Sequence, residues 1–261
     1  MHKDSQRLPE VSVAIVTHNE EQNIRECLES VQWADDIVVV DDFSTDATPE
    51  ICRRYGARVF QEPWKGFAGQ RNSAVAKTRH TWVLNIDADE RITPELRDEI
   101  LHVLSVGEPK VGYGIPYKNY FRGQWIRFGG WYPDYHIRFF RKDRGRYVDR
   151  EIHETVELEG ELGKLKNPLI HLAYRDISTF ARKMESYSTL MAQQYAREGK
   201  MAGAWTGFMH ALYAFWSMFF LRGGFLDGTN GLILAYMYST YSFLKYAKLM
   251  ELRQNSPGKT L

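Results

Sequence analysis

At 261 residues the chain can bury one large core, or a core plus a small appendage. Its 34 basic and 33 acidic side chains leave a formal charge of +1. That balance excludes a nucleic-acid-binding surface spread over the whole protein, which needs a clear basic excess.

Residues 1–10 are a polar tail without the apolar stretch of a signal peptide, so the expected location is the cytoplasm or the cytoplasmic face of a membrane. From Val11 to Ile86 short apolar runs alternate with helical patterns, the signature of a parallel sheet with helices on its faces. Val11–Val16 reads as the first strand. Asn19 or Glu20 opens a helix carrying Ile24, Cys27, Leu28 and Val31 at helical spacing. Ile37–Val40 is a second strand, too apolar to face water on either side and therefore central. Thr45, Asp46 and Thr48 supply capping groups, with Pro49 near the first turn of the next helix. Arg58–Phe60 is a third strand, Phe67–Lys77 a helix and Thr81–Ile86 a fourth strand. The only cysteines, Cys27 and Cys52, lie in amphipathic helices; they read as core residues in a reducing compartment and cannot build a thiolate metal site.

The expected fold is therefore a doubly wound α/β domain. Such sheets bind ligands beyond the carboxyl ends of their strands, where Thr17-His18-Asn19, Asp41-Asp42-Phe43-Ser44 and Asp87-Ala88-Asp89 all fall. Two carboxylates flanking one small residue at a strand's end can hold a divalent metal. Oxygen ligands suit Mg²⁺ or Mn²⁺, which usually bridges such carboxylates to the phosphates of a nucleotide.

Residues 106–176 loosen into aromatic, basic and glycine-containing segments, expected to form short strands and acceptor-facing loops. A helical pattern follows through Met184, Tyr187, Leu190, Met191 and Tyr195. Ala202–Leu221 then has no charged residue and is crowded with aromatic side chains, and a second apolar stretch, Leu232–Leu244, runs into Lys245 and Lys248. Aromatic enrichment beside cations fits residence at a membrane interface better than a simple span. The competing expectation is a helical hairpin that closes the protein's own core or a homodimer interface. The domain expectation is thus a tail (1–10), a half with ligand-binding strand ends (11–105), an acceptor-facing half of the same domain (106–176) and a helical membrane-associating region (177–261).

Three motifs in order, Val-Ala-Ile-Val-Thr-His-Asn-Glu (13–20), Val-Val-Val-Asp-Asp-Phe-Ser-Thr-Asp-Ala-Thr (38–48) and Leu-Asn-Ile-Asp-Ala-Asp-Glu (84–90), resemble the inverting glycosyltransferases of family 2, which have the GT-A fold. Further on, Gly-Gly-Trp-Tyr-Pro-Asp-Tyr-His-Ile-Arg-Phe-Phe-Arg (129–141), Ile-His-Glu (152–154) and Leu-Ile-His-Leu-Ala-Tyr (169–174) look like the subgroup containing lipopolysaccharide core β-1,4-glucosyltransferases.

The resemblance implies that Thr17, Asn19 and Glu20 lie around the nucleotide base and ribose, and that Asp41 or, preferably, Asp42 accepts a hydrogen bond from the uracil ring or ribose. Lys65, Gly66, Gln70 and Arg71 correspond to the segment whose Arg-Asn holds the nucleotide sugar, Arg71 pairing with a phosphate or with Asp87. Asp89 is the principal metal ligand, Asp87 contacts ribose or metal-bound water, and His171 completes the metal or diphosphate site. Arg138 and Arg141 are placed to hold diphosphate or an anionic acceptor. Inversion also needs a base for the acceptor hydroxyl. The family's Glu-Asp pair is missing; its positional equivalent is His153-Glu154, which makes Glu154 the first choice and Asp134 the second.

The implied function is metal-dependent transfer of a hexose, glucose from UDP-glucose, onto a saccharide of a membrane glycolipid such as the lipopolysaccharide inner core. The implied partners are the UDP-sugar, the glycolipid and the cytoplasmic membrane leaflet, and the cofactor is Mg²⁺ or Mn²⁺. A polyprenyl-phosphate glycosyltransferase is the enzymatic alternative, and a non-catalytic sugar-nucleotide-binding membrane scaffold the alternative of another class. A dinucleotide-dependent dehydrogenase is disfavoured, because the first strand is followed by Thr-His-Asn-Glu and not by a Gly-x-Gly-x-x-Gly loop.

Overall fold

A computed structural model describes residues 9–106, 110–149 and 154–254. In chain order it runs β1 (Val11–Thr17), α1 (Ile24–Ser30), β2 (Asp36–Asp41), α2 (Thr48–Arg54), β3 (Arg58–Gln61), α3 (Phe67–Ala76), β4 (Trp82–Asp87), β5 (Glu90–Arg91) and α4 (Pro94–Ser105). There follow β6 (Gly112–Phe121), β7 (Gln124–Trp125), β8 (Tyr135–Arg141), β9 (Gly145–Asp149), β10 (Glu154–Leu158), β11 (Leu162–Lys164) and β12 (Leu169–Tyr174). The chain ends in α5 (Ile177–Arg197), α6 (Ala204–Trp216) and α7 (Gly228–Gln254), with a π-helical turn over Ser217–Leu221 and a 3₁₀ turn over Gly224–Asp227 between the last two.

The strands β3-β2-β1-β4 pair in parallel, and β8 and β6 continue the sheet antiparallel. This mixed, mostly parallel sheet with helices on both faces is the GT-A-type arrangement that the motifs imply. Side-chain alternation along each parallel strand builds a core on either face. Val11, Val13, Ile15, Ile37, Val39, Trp82, Leu84 and Ile86 face one core, where Ile24, Cys27 and Leu28 of α1, Cys52 of α2 and Leu96, Ile100 and Leu104 of α4 cover them. The intervening Ala14, Val38, Val40 and Val83 face the other, covered by Ala68, Ala74 and Val75 of α3. Both cysteines are buried and free, as core residues.

Two details depart from the sequence reading. The first helix begins at Ile24, after a turn in which Asn23 and Ile24 both donate backbone hydrogen bonds to the carbonyl of Glu20. The periodic pattern therefore starts later than its polar preface. The helix α4, which the motif-led reading passes over, is capped by Thr93, whose hydroxyl accepts from the Leu96 N–H, with Pro94 in its first turn.

The chain divides into two compact units, residues 1–117 with 134–171 and residues 118–133 with 172–261. The first holds both sheet cores. The second is built on Phe121, Ile126, Trp131, Phe180, Met184, Met218, Leu234 and Ala235, with α5 and α6 both packed on α7. Among the described residues no helix is long and apolar enough to cross a membrane.

Candidate active site

Strand register brings the site together. Thr17 is opposite Asp41, and Val16 is opposite Asp87, so the parallel strands β1, β2 and β4 end side by side with polar residues at their carboxyl ends. Two of the three loops then fasten to each other. Asn19, at φ 54°, donates its backbone N–H to Ser44 Oγ at 2.8 Å and accepts from the Thr45 N–H through Oδ1 at 2.8 Å. Glu20 donates its backbone N–H to Thr48 Oγ1 at 2.8 Å, and its carboxylate accepts from Asn23 Nδ2 at 2.6 Å.

The adjacent aspartates have different surroundings. Asp41 is fully buried and accepts from the Ser44 N–H and hydroxyl and from Gln61 Nε2. Its carboxylate shapes the loop. Asp42 is partly exposed, with the His18 imidazole 3.6 Å from its Oδ2, so it is the more accessible of the two to a ligand. Thr17 Oγ1 is buried without a hydrogen-bond partner.

At the end of β4 the Asp-Ala-Asp turn is held from beneath by Arg91. Its guanidinium donates to the carbonyls of Ala88 and Glu90 at 2.8 and 2.9 Å and to that of Asn23 at 2.7 Å. Asp87 Oδ2 accepts from Arg71 at 2.8 Å and Arg138 at 3.1 Å, while its buried Oδ1 has no hydrogen-bond partner. Burial raises the Asp87 carboxyl above the ordinary range and the Asp89 charge adds to this, whereas Arg71 pulls it back. Asn72, next to Arg71, clasps the backbone of Tyr147 through both its amide atoms, at 2.8 and 2.9 Å. In the Arg-Asn pair, one residue thus faces the carboxylate and the other pins β9. Lys65 pairs with Glu62 at 2.7 Å, and Gln70 is buried on α3 with neither amide atom hydrogen-bonded.

His171 reaches this turn through β-pairing. It lies opposite Glu90 where β12 meets β5, and its Nε2 is 3.6 Å from Asp89 Oδ2. The described residues contain no group of three or more His, Cys, Asp or Glu side chains that could hold a metal by themselves. Asp89 and His171, partly exposed and adjacent, with the orphaned Asp87 Oδ1 nearby in sequence, fit a cation that takes its remaining ligands from water and phosphate.

Three residues of the cluster have no role assigned from the sequence. Glu90 is fully buried; its Oε1 accepts from Tyr117 Oη at 2.6 Å and Arg138 Nη2 at 3.1 Å, and its Oε2 from the Asp87 N–H at 3.0 Å. Burial and the neighbouring Asp87 and Asp89 charges push its carboxyl well above the usual range. Tyr117 also accepts from Arg138 Nε, and burial with the Glu90 and Asp87 charges drives its phenol well above its ordinary value. The Tyr117 ring lies 4.4 Å from that of His136 and 5.4 Å from that of His171. The only sequence signal for Glu90 was its place directly after the Asp-x-Asp and for His136 its place in the 129–141 motif; Tyr117 gave none.

Asp134, the second choice for the base, accepts from His136 Nε2 at 2.9 Å, and this contact holds its carboxyl below the ordinary range despite burial. Glu154 opens β10 opposite Asp149, but its side chain and residues 150–153, including His153, lie outside the described residues. Arg138 is committed to the Asp87–Glu90 cluster, whereas Arg141 pairs with Asp143 at 2.8 Å. Beside Arg138 opens a cavity of about 340 Å³ lined by Tyr135, His136, Tyr147, Thr155 and Lys164 among others.

Known proteins place this geometry in a family. The chain is 30% identical over 257 residues to the lipopolysaccharide core biosynthesis glycosyltransferase LpsC of Rhizobium meliloti (strain 1021), covering 94% of this chain and 93% of that one. It is 29% identical to the uncharacterized glycosyltransferase RT0209 of Rickettsia typhi, covering 95% of this chain and 89% of that protein. Among solved structures, S. aureus TarS 1–349 in complex with UDP-GlcNAc is similar at 17% identity and a TM-score of 0.49, over 96% of this chain and 93% of that one. Residues 12–156 match the family model for glycosyl transferase family 2, which spans both strand-end loops and the Asp-x-Asp, and the chain belongs to that family.

Proposed function

We propose that this family 2 glycosyltransferase moves a hexose, glucose from UDP-glucose, with inversion onto a saccharide of a membrane glycolipid, such as the inner core of lipopolysaccharide, at the cytoplasmic face of the membrane. The observation that carries the reading is the convergence of Asp87, Asp89, His171, Arg71 and Arg138 at the carboxyl end of β4. The name of the R. meliloti relative, a lipopolysaccharide core biosynthesis glycosyltransferase, supports the acceptor class.

In the reaction the acceptor hydroxyl oxygen bonds to the anomeric carbon as the bond from that carbon to the diphosphate oxygen breaks. The electron pair leaves with UDP and the hydroxyl proton passes to a base. Thr17, Asn19 and Asp42 flank the nucleoside. Asp89 and His171 would hold Mg²⁺ or Mn²⁺, which supplies Lewis-acid stabilisation of the diphosphate charge. Arg71 and Arg138 orient Asp87 through hydrogen bonds to its Oδ2, and fixed charges of this kind are the usual main source of rate enhancement. Glu154 is the proposed base, with Asp134 second, the latter ionised and oriented by His136.

The test is a screen of nucleotide sugars against extracted lipopolysaccharide core acceptors, with and without Mn²⁺, read by mass. A hexose added only in the presence of metal supports the proposal. Absence of both transfer and metal-stimulated donor hydrolysis would leave the scaffold reading in its place.

A further inference from the structure

The helical unit displays an apolar surface that its own core does not use. Along α6, Trp205, Phe208, Leu212 and Trp216 recur at helical spacing, with Met209 and Tyr213 beside them, and each is between 50% and 78% exposed. The strip continues past the π turn through Leu221, Phe225 and Leu226, which are 67%, 50% and 59% exposed. A contiguous exposed patch of this length marks an interaction site.

Charge identifies the partner. Between Gly199 and Leu226 there is no carboxylate, and the cations of this segment are Lys200, before the strip, and Arg222, within it. Lys200 pairs with Glu198 at 2.7 Å, but Arg222 is exposed and makes no ion pair among the described residues. The other cations singled out in the sequence serve the unit itself. Lys248 donates to Glu185, Ser188 and Thr189 at 2.7–2.8 Å. Lys245 lies against Tyr195, Tyr241 and Tyr246, and burial lowers its pKa.

A symmetric pairing of two copies through this strip would set like charges together with no carboxylate in the segment to offset them. A bilayer surface suits it better, because tryptophan and tyrosine settle at the headgroup level and arginine reaches phosphate. The 13-residue α6 and the 5-residue π turn that continues it rise roughly 27 Å at most, short of the ~30 Å hydrocarbon core, and among the described residues no helix is long and apolar enough to cross a membrane.

We propose that the exposed face of α6 and the turn to Leu226 lie in the plane of an acidic-lipid leaflet as a monotopic anchor, with Arg222 as its headgroup contact. The inference extends the proposed glycolipid acceptor by naming the surface that reaches the bilayer, and its test does not require transfer.

The test is gradient flotation of the full-length chain with vesicles of phosphatidylcholine alone and of phosphatidylcholine with phosphatidylglycerol. The wild type should float with both, more completely with the acidic vesicles. The triple variant Leu212→Ser, Trp216→Ser, Leu221→Ser alters exposed positions only. It should lose roughly tenfold in partitioning per side chain while melting like the wild type. Arg222→Glu should abolish the preference for acidic vesicles and leave binding to neutral ones. A wild type that floats with neither vesicle overturns the proposal, as does a triple variant that floats undiminished. So does a wild-type dimer that the triple variant converts to monomer, because the partner is then a second copy. Metal-stimulated donor hydrolysis, measured without lipid, should be equal in wild type and triple variant; its absence from both would sink the catalytic reading without touching the docking result.

Discussion

Glu90 is the most exacting test of the site because three donors converge on it. Replacing it with Gln conserves shape but leaves one acceptor oxygen where there were two. If the amide oxygen serves Tyr117 and Arg138, the amide nitrogen faces the Asp87 N–H, donor to donor; the flipped amide strands the other two. In the better case the partly buried Asp87 N–H is left without its acceptor, which costs about 1–3 kcal/mol. For a chain of this size that is a fall in melting temperature of roughly 2–12 °C, at about 2–4 °C per kcal/mol. Calorimetry of Glu90→Gln, Tyr117→Phe and the double variant measures it, and the two changes should be coupled rather than additive because they share a hydrogen bond. Nucleotide affinity, read by titration calorimetry with UDP and Mn²⁺, should weaken in Glu90→Gln, since Asp87 loses the contact that fixes its backbone. An unchanged melting temperature with additive single effects would show that the cluster does not constrain the Asp-x-Asp turn.

Asp89→Ala should abolish metal-stimulated transfer while the protein keeps its fold, since the residue is on a partly exposed turn; wild-type activity after chelation and metal restoration would refute its role as ligand. Glu154→Gln should reduce transfer by about 10²-fold or more with donor binding intact, the usual scale for losing a positioned proton acceptor, and Asp134→Asn should be milder. The reverse ranking moves the base to Asp134, and two mild effects point to a polyprenyl-phosphate acceptor whose nucleophile is already ionised. Glu62 is held down to about 2 by hydrogen bonds from Lys65, Lys77 and Ser73. A depressed carboxyl contributes stability that is fully present above its unfolded value and lost as pH falls through its folded one. Glu62→Gln should therefore lower stability by a constant amount above pH 4.5, with the difference from wild type vanishing as pH falls from 4.5 to about 2, by denaturant melts across that range. The effect should be small because solvent screens this partly exposed group.

The α/β half was legible in the sequence because its physics is local and periodic. Unbroken apolar runs such as Ile37–Val40 can only be strands covered on both faces, and the polar residues that end Val11–Thr17, Asp36–Asp41 and Trp82–Asp87 must then gather at one sheet edge. The Asp-x-Asp could be placed at a strand end from the chain alone. The tertiary structure alone decided which groups surround it. Tyr117, Arg138 and His171 come from β6, β8 and β12, and their approach to Glu90, Asp87 and Asp89 depends on antiparallel registers that no local pattern encodes. The same holds for the two adjacent aspartates, alike in sequence, of which Asp41 is consumed by Ser44 and Gln61. At the C-terminus, composition announced an apolar surface, but only packing showed which side chains it leaves in water. Phe180, Met218 and Leu234 went inward and Trp205, Leu212 and Trp216 outward, since a helix packed against a neighbour covers one stripe and exposes the rest.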